Sequence, residues 1–206
     1  MISIPKLHFI THPNDTYDLG TMIQIACMAG VPCIQLRMKD SAYADVRDMA
    51  KLAREITLKY NTLLVINDYV EIAKEVHADG VHLGNSDMNH GEARKLLGDN
   101  VFIGATANHR AQLSSHLQGT CDYIGYGPYK HTITKKNAAE PLGIEAYTEI
   151  KDVSSYSKPI LAIGGITLED IPILKDTGIY GFALSSAILQ GDMTRNIERI
   201  LHLLDI

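Results

Sequence analysis

Eight short apolar runs, each followed by a longer amphipathic stretch, narrow the folds open to this chain more than any other feature. Residues 7–10, 33–36, 63–66, 80–83, 101–104, 123–126, 160–163 and 181–184 read as strands. Residues 17–29, 42–60, 70–77, 91–97, 110–117, 144–150, 168–176 and 196–204 read as helices. The pattern is clearest over 42–60, where Ala42, Val46, Met49, Ala50, Ala53 and Ile56 recur at helical spacing. Strands alternating with helices imply right-handed crossovers and a parallel sheet. Eight such units predict closure into a single (β/α)8 TIM barrel. The rival is an open doubly wound sheet, whose first turn carries Gly-x-Gly-x-x-Gly. This chain has Thr11-His12-Pro13-Asn14-Asp15 there, which favours the barrel. No linker or charge run breaks the 206 residues, so they read as one domain, 1–206.

Composition excludes several function classes. The net charge is −5, which argues against a general nucleic-acid surface. No run of about 20 apolar residues is present to span a membrane. Met1-Ile2-Ser3-Ile4-Pro5-Lys6 is too broken for a signal peptide. Cys27, Cys33 and Cys121 are odd in number and lack a Cys-x-x-Cys, which suits a reducing, cytoplasmic setting. A homo-oligomer is compatible with all of this.

In such a barrel the site lies at the C-terminal ends of the strands. Gln35, Arg37 and Lys39 alternate at the end of the second strand and so share one face. Cations pointing inward need an anionic partner, which a ligand phosphate supplies; the alternative is an outward salt-bridged pair. Asn67, Asp68 and Asp87 end or follow neighbouring strands. Two carboxylates suit Mg2+, which completes its shell with water and phosphate oxygens. Alternatively, Asp68 caps the next helix and Asp87 serves a turn. Gly164-Gly165 and Ser185-Ser186 follow the last two strands, where barrels often bind phosphate, although the serines also suit helix capping. The segment from Tyr129 to Pro141 carries Thr132, Thr134, Lys135 and Lys136 and reads as a lid or a solvated loop. Thr106 ends the fifth strand. Nine histidines show no metal spacing; His82 reads equally as packed or ligand-binding, and His12, His109 and His131 lie near the expected mouth.

These blocks together resemble a known family. Gln35-Leu36-Arg37-Met38-Lys39, Ile66-Asn67-Asp68, Asp79-Gly80-Val81-His82-Leu83-Gly84, Asp122-Tyr123-Ile124-Gly125-Tyr126-Gly127-Pro128, Thr132-Ile133-Thr134-Lys135 and Ala162-Ile163-Gly164-Gly165-Ile166 occur in the order seen in thiamine-phosphate synthases. The resemblance implies a Mg2+-dependent transferase acting on small phosphorylated substrates, hydroxymethylpyrimidine pyrophosphate and a thiazole phosphate. It implies that Gln35, Arg37, Lys39, Asn67 and Lys135 bind pyrophosphate, and that Arg37, Lys39, Lys135 and Thr106 serve the chemistry. It places Asp68 and Asp87 on the metal, Thr106 in the place of a family serine, and Thr132, Thr134, Gly165 and Ser186 on the thiazole phosphate. Met38, Asn85, Ser86, Asn108 and His131 depart from the family pattern. A sister branch of thiazole tautomerases carries a histidine where this chain has Pro128. The alternative readings are thus a tautomerase-like isomerase or a non-catalytic phosphate-ligand binder.

Overall fold

The apolar runs fold as strands because both of their faces are buried, one inside a barrel and one under helices. The structure is a computed structural model and describes residues 3–132, 139–150 and 158–206. In order it forms β1 (Leu7–Ile10), α1 (Leu19–Met28), β2 (Cys33–Leu36), α2 (Tyr43–Lys59), β3 (Leu63–Asn67), α3 (Val70–Glu75), β4 (Gly80–Leu83) and α4 (His90–Leu97). It continues with β5 (Phe102–Ala107), α5 (Arg110–Gln118), β6 (Tyr123–Tyr126), α6 (Glu145–Thr148), β7 (Ile160–Ile163), α7 (Asp170–Lys175), β8 (Gly181–Leu184), α8 (Ser186–Leu189) and α9 (Met193–Leu204). All eight strands are parallel and close into one barrel in sequence order, with β8 against β1.

Two separate apolar clusters follow from the period-two alternation. Ile4, Cys33, Val65, Phe102, Tyr123 and Leu161 plug the barrel interior. The intervening positions, such as Ile34, Leu64, Val81 and Ile124, belong to the larger cluster between barrel and helices. Asp18, Asn89 and Asp192 cap α1, α4 and α9 through their side chains, which fixes where those helices begin. Two carboxylates just before strands do parallel jobs. Asp79 accepts from Arg54 of α2 at 2.7 Å and from the Leu64 N–H at 2.8 Å. Asp122 accepts from Arg94 of α4 and from the Ile103 N–H at 2.6 Å.

Two expectations need correction. The fifth strand, whose apolar run covers 101–104 and whose expected end is Thr106, runs from Phe102 to Ala107, because its ladder with β6 continues through Thr106 and Ala107. A short helix, Ser186–Leu189, stands between β8 and the last helix. Four residues are too few to display a 3.6-residue period.

The interior also buries a histidine. His8 is fully buried, packs edge-on against Tyr123 with ring centroids 5.0 Å apart, and among the described residues has no hydrogen-bond partner on either ring nitrogen. Burial, and then the charge of His82, push its pKa down to about 3; the Pro5 backbone pulls the other way without reaching hydrogen-bond geometry. Because the folded pKa lies below the ordinary value of 6.5, the unfolded chain takes up a proton first as pH falls. Stability is therefore expected to drop between pH 6.5 and about 3, with a slope approaching ~1.4 kcal/mol per pH unit from this one group. Urea unfolding at stepped pH checks this. His8→Leu should flatten the slope, and an unchanged slope would contradict the assignment.

Candidate active site

The strand ends that carry polar residues open onto one cavity of about 490 Å³. Gln35, Arg37, Lys39, Asn67, Asp68, Asp87, Thr106, Thr132, Gly165, Ser185 and Ser186 all line it. Thr134 and Lys135, also expected at the site, lie outside the described residues.

β2 delivers the cations. Gln35 is 2% exposed and its amide donates to Asn67 Oδ1 at 2.6 Å, which ties the ends of β2 and β3 together. The Arg37 N–H donates to the buried Thr11 hydroxyl at 3.0 Å, holding the next inward position. Among the described residues, neither Arg37 nor Lys39 has a carboxylate within ion-pair distance. The outward salt-bridged pair is therefore not what forms. Two cations line a cavity without ion-pair partners among the described residues, which costs free energy unless an anion enters.

The acids stand after the neighbouring strands β3 and β4. Asp68 follows β3 with φ +71°, a left-handed conformation that aspartate tolerates better than most residues. It does not cap α3, whose N-cap position is Tyr69 and lacks a side-chain bond. Asp68 instead lies beside Asp87, close enough for the two carboxyls to perturb one another, and Asn67 Nδ2 donates to its Oδ1. Burial, and next the charge of Asp87, raise the Asp68 pKa to about 6, while Lys39 and Arg37 pull it down. Asp87 closes a turn after β4 as well as lining the cavity: its Oδ2 accepts from the Gly84 N–H at 2.6 Å. Two carboxylates that crowd one another fit a divalent cation, which relieves their repulsion. Among the described residues no cluster of three or more His, Cys, Asp or Glu side chains is suited to a metal. Mg2+ does not need one, since water and phosphate oxygens complete its octahedron.

The β7 and β8 ends supply backbone. Gly164 and Gly165 have φ of +89° and +68°. A Cβ on Gly165 would lie 2.6 Å from the His131 carbonyl oxygen and 2.7 Å from that of Lys130, so only glycine fits under the loop after β6. Lys130 fastens that loop to α7 through Asp170 at 2.6 Å. Ser185 occupies the N-cap position of α8 without making a cap bond, and its hydroxyl is buried with no partner among the described residues. Capping thus does not account for Ser185.

His82 lines the cavity, bonded to Tyr123 and Thr106. His109 caps α5 through its side chain. Two departures from the family pattern meet: Asn85 Nδ2 lies 3.4 Å from Asn108 Oδ1, and Asn108 Nδ2 donates to the Gly127 carbonyl at 2.6 Å. The sequence reading missed the apolar walls, Ile10, Ile163 and Ala183. Their signal was available, since each sits at an inward position of its strand.

The fold and cavity define a class: a (β/α)8 barrel whose mouth gathers two cations, a carboxylate pair and a glycine-lined rim. Residues 7–188 match the family model described as thiamine monophosphate synthase. The chain is 44% identical over 202 residues to a thiamine-phosphate synthase of Phocaeicola vulgatus, covering 96% of this chain and 97% of that one. It is 36% identical over 198 residues to one of Clostridium novyi, covering 95% and 96%. Its structure resembles a thiamine phosphate pyrophosphorylase of Pyrococcus furiosus with a TM-score of 0.86 and 27% identity, covering 97% of this chain and 95% of that one. The chain belongs to the thiamine monophosphate synthase family.

Proposed function

We propose that this chain, as a single cytoplasmic domain spanning 1–206, is a transferase that joins hydroxymethylpyrimidine pyrophosphate to a thiazole phosphate, giving thiamine phosphate and pyrophosphate. The observation that carries the reading is the cavity itself, where Arg37 and Lys39, which lack ion-pair partners among the described residues, stand near the Asp68–Asp87 pair. Bond breaking at the pyrimidine carbon concentrates negative charge on the departing pyrophosphate. Preorganised cations stabilise that charge where it develops. Arg37 and Lys39 take this role, with Lys135 as the third cation. Gln35 and Asn67, already hydrogen-bonded to one another, orient the phosphates.

Asp68 and Asp87 are the residues to hold Mg2+, which when bound adds charge stabilisation to the leaving group. Thr106 presents a hydroxyl at the end of β5. Gly165, Ser185 and Ser186 form the cradle for the thiazole phosphate, together with Thr132 and Thr134. The Ser185 hydroxyl, buried without a partner among the described residues, gains one when phosphate binds. Fixing both substrates in one cavity supplies proximity, so the thiazole nitrogen captures the pyrimidine carbon without a protein nucleophile. Pro128 stands where the tautomerase branch carries histidine, which disfavours the isomerase alternative.

No helix among the described residues is long and apolar enough to cross a membrane. Cys27, Cys33 and Cys121 are free and buried, in keeping with a reducing compartment.

The test is incubation of the purified chain with both substrates and Mg2+, with an EDTA control, and mass spectrometry of the products. Thiamine phosphate formed only with Mg2+ is the expected outcome. Folded protein that binds thiazole phosphate yet forms no product would point to the isomerase or the non-catalytic binder.

A further inference from the structure

A hydrogen-bonded string runs from the floor of the cavity into the barrel core. Thr106 Oγ1 lies 2.9 Å from His82 Nε2, and His82 Nδ1 lies 2.9 Å from the Tyr123 hydroxyl. Tyr123 is 1% exposed, and His8 packs against its ring. Glycines clear the space for both rings. A Cβ on Gly104 would lie 2.4 Å from the Tyr123 hydroxyl oxygen, and one on Gly125 would lie 3.2 Å from His82 Cε1. Glycine weakens a strand, so two of them facing these rings mark a site where close approach is required.

The direction of the string follows from counting donors. Among the described residues His82 Nδ1 is the one hydrogen-bond partner of the Tyr123 hydroxyl. Burial holds that phenol well above its ordinary pKa, so it keeps its proton. If the phenol accepted from Nδ1–H, its own hydrogen would be buried with no acceptor, which disfavours that tautomer by roughly tenfold or more. The phenol therefore donates to Nδ1, and the imidazole proton sits on Nε2. Nε2–H then donates to Thr106 Oγ1, whose described protein partner is this ring alone. The hydroxyl hydrogen of Thr106 is left without a protein acceptor among the described residues, at the cavity wall.

We propose that His82 and Tyr123 are positioning residues that fix the Thr106 hydroxyl as a hydrogen-bond donor toward the substrate. The acceptor is an unprotonated ring nitrogen or a phosphate oxygen of the pyrimidine pyrophosphate. The proposal rests on the synthase reading for its substrate, but not for the state of the string.

Two measurements separate these. Nitrogen-15 NMR of the histidine rings in the substrate-free full chain, assigned with His82→Gln, should show Nδ1 bare and Nε2 protonated at His82. A proton on Nδ1 would overturn the proposal whatever the activity. In steady-state kinetics, Tyr123→Phe keeps the ring and removes the donor. It should lower kcat by about tenfold with little change in KM. Thr106→Val should cost at least as much, and Thr106→Ser should retain most of the rate. Tyr123→Phe added to Thr106→Val should cost nothing further, because Tyr123 acts through Thr106. Additive losses would reduce Tyr123 to a packing role and defeat the proposal. Calorimetry identifies the acceptor. If Thr106→Val weakens inorganic pyrophosphate, the acceptor is an oxygen; if it weakens unphosphorylated hydroxymethylpyrimidine, it is the ring nitrogen. A variant that binds both like the parent would show that the hydroxyl donates to neither. A wild-type chain with the expected tautomer but no product would leave the string intact and refute the synthase reading instead.

Discussion

Asp87→Ala is expected to lower kcat/KM for thiamine phosphate formation at least ~100-fold at a fixed Mg2+ concentration. The magnitude follows from several kcal/mol of leaving-group stabilisation, at about 1.4 kcal/mol per tenfold in rate. Asp87 stands beside Asp68 and raises its pKa, so its removal leaves one carboxylate where two converge. The Gly84 N–H also loses its 2.6 Å acceptor, and part of any effect could then come from the turn. Asp87→Asn separates the two causes. Its amide oxygen still accepts from Gly84, but the charge is gone. A comparable loss in the asparagine variant, with an unchanged melting temperature, assigns the effect to charge. If both variants keep the parental rate across a Mg2+ titration, Asp68 and Asp87 are not the metal site.

The same pair illustrates how far the sequence could be read. Asp68 and Asp87 stand 19 positions apart and were each compatible with ordinary turn or cap roles. The parallel pairing of β3 with β4 is what turns them into neighbours and decides between those roles and a shared site. Strands such as Leu7–Ile10 and Tyr123–Tyr126 were legible because a fully buried parallel strand is a short apolar run bounded by polar residues. Arg37 and Lys39 were legible for a related reason: period-two alternation carries two cations to the face where a barrel has its mouth. His82 was not. Its environment comes from Tyr123, 41 positions away, and no local pattern distinguishes a histidine hydrogen-bonded at a cavity floor from one packed in a core. The four-residue α8 was invisible for want of a full period, and β5 reached further because its ladder, rather than its apolar run, sets its end.

Arg37→Ala should produce the other large loss, about 10²–10³-fold in kcat/KM for the pyrimidine pyrophosphate. A charge-assisted hydrogen bond contributes ~1.5–3 kcal/mol. An arginine facing a diphosphate can form two in parallel, and both strengthen as the leaving group gains charge. Three observations make this residue more than a generic surface cation. It lines the cavity, its backbone is fixed to Thr11, and among the described residues it pairs with no carboxylate. It therefore approaches an entering anion without first breaking an ion pair. Arg37→Lys should recover only part of the loss, because an ammonium cannot reproduce the planar two-pronged contact. The kinetic pattern distinguishes the roles. A rise in KM alone would mean that Arg37 binds substrate and transition state equally, whereas a matching fall in kcat would place its contribution on the departing pyrophosphate. The thiazole phosphate, which the proposed function seats at Gly165 on the β7 end, should keep its affinity in both variants. Loss of thiazole phosphate binding in Arg37→Ala would mean that the two anion sites had been assigned to the wrong sides of the cavity.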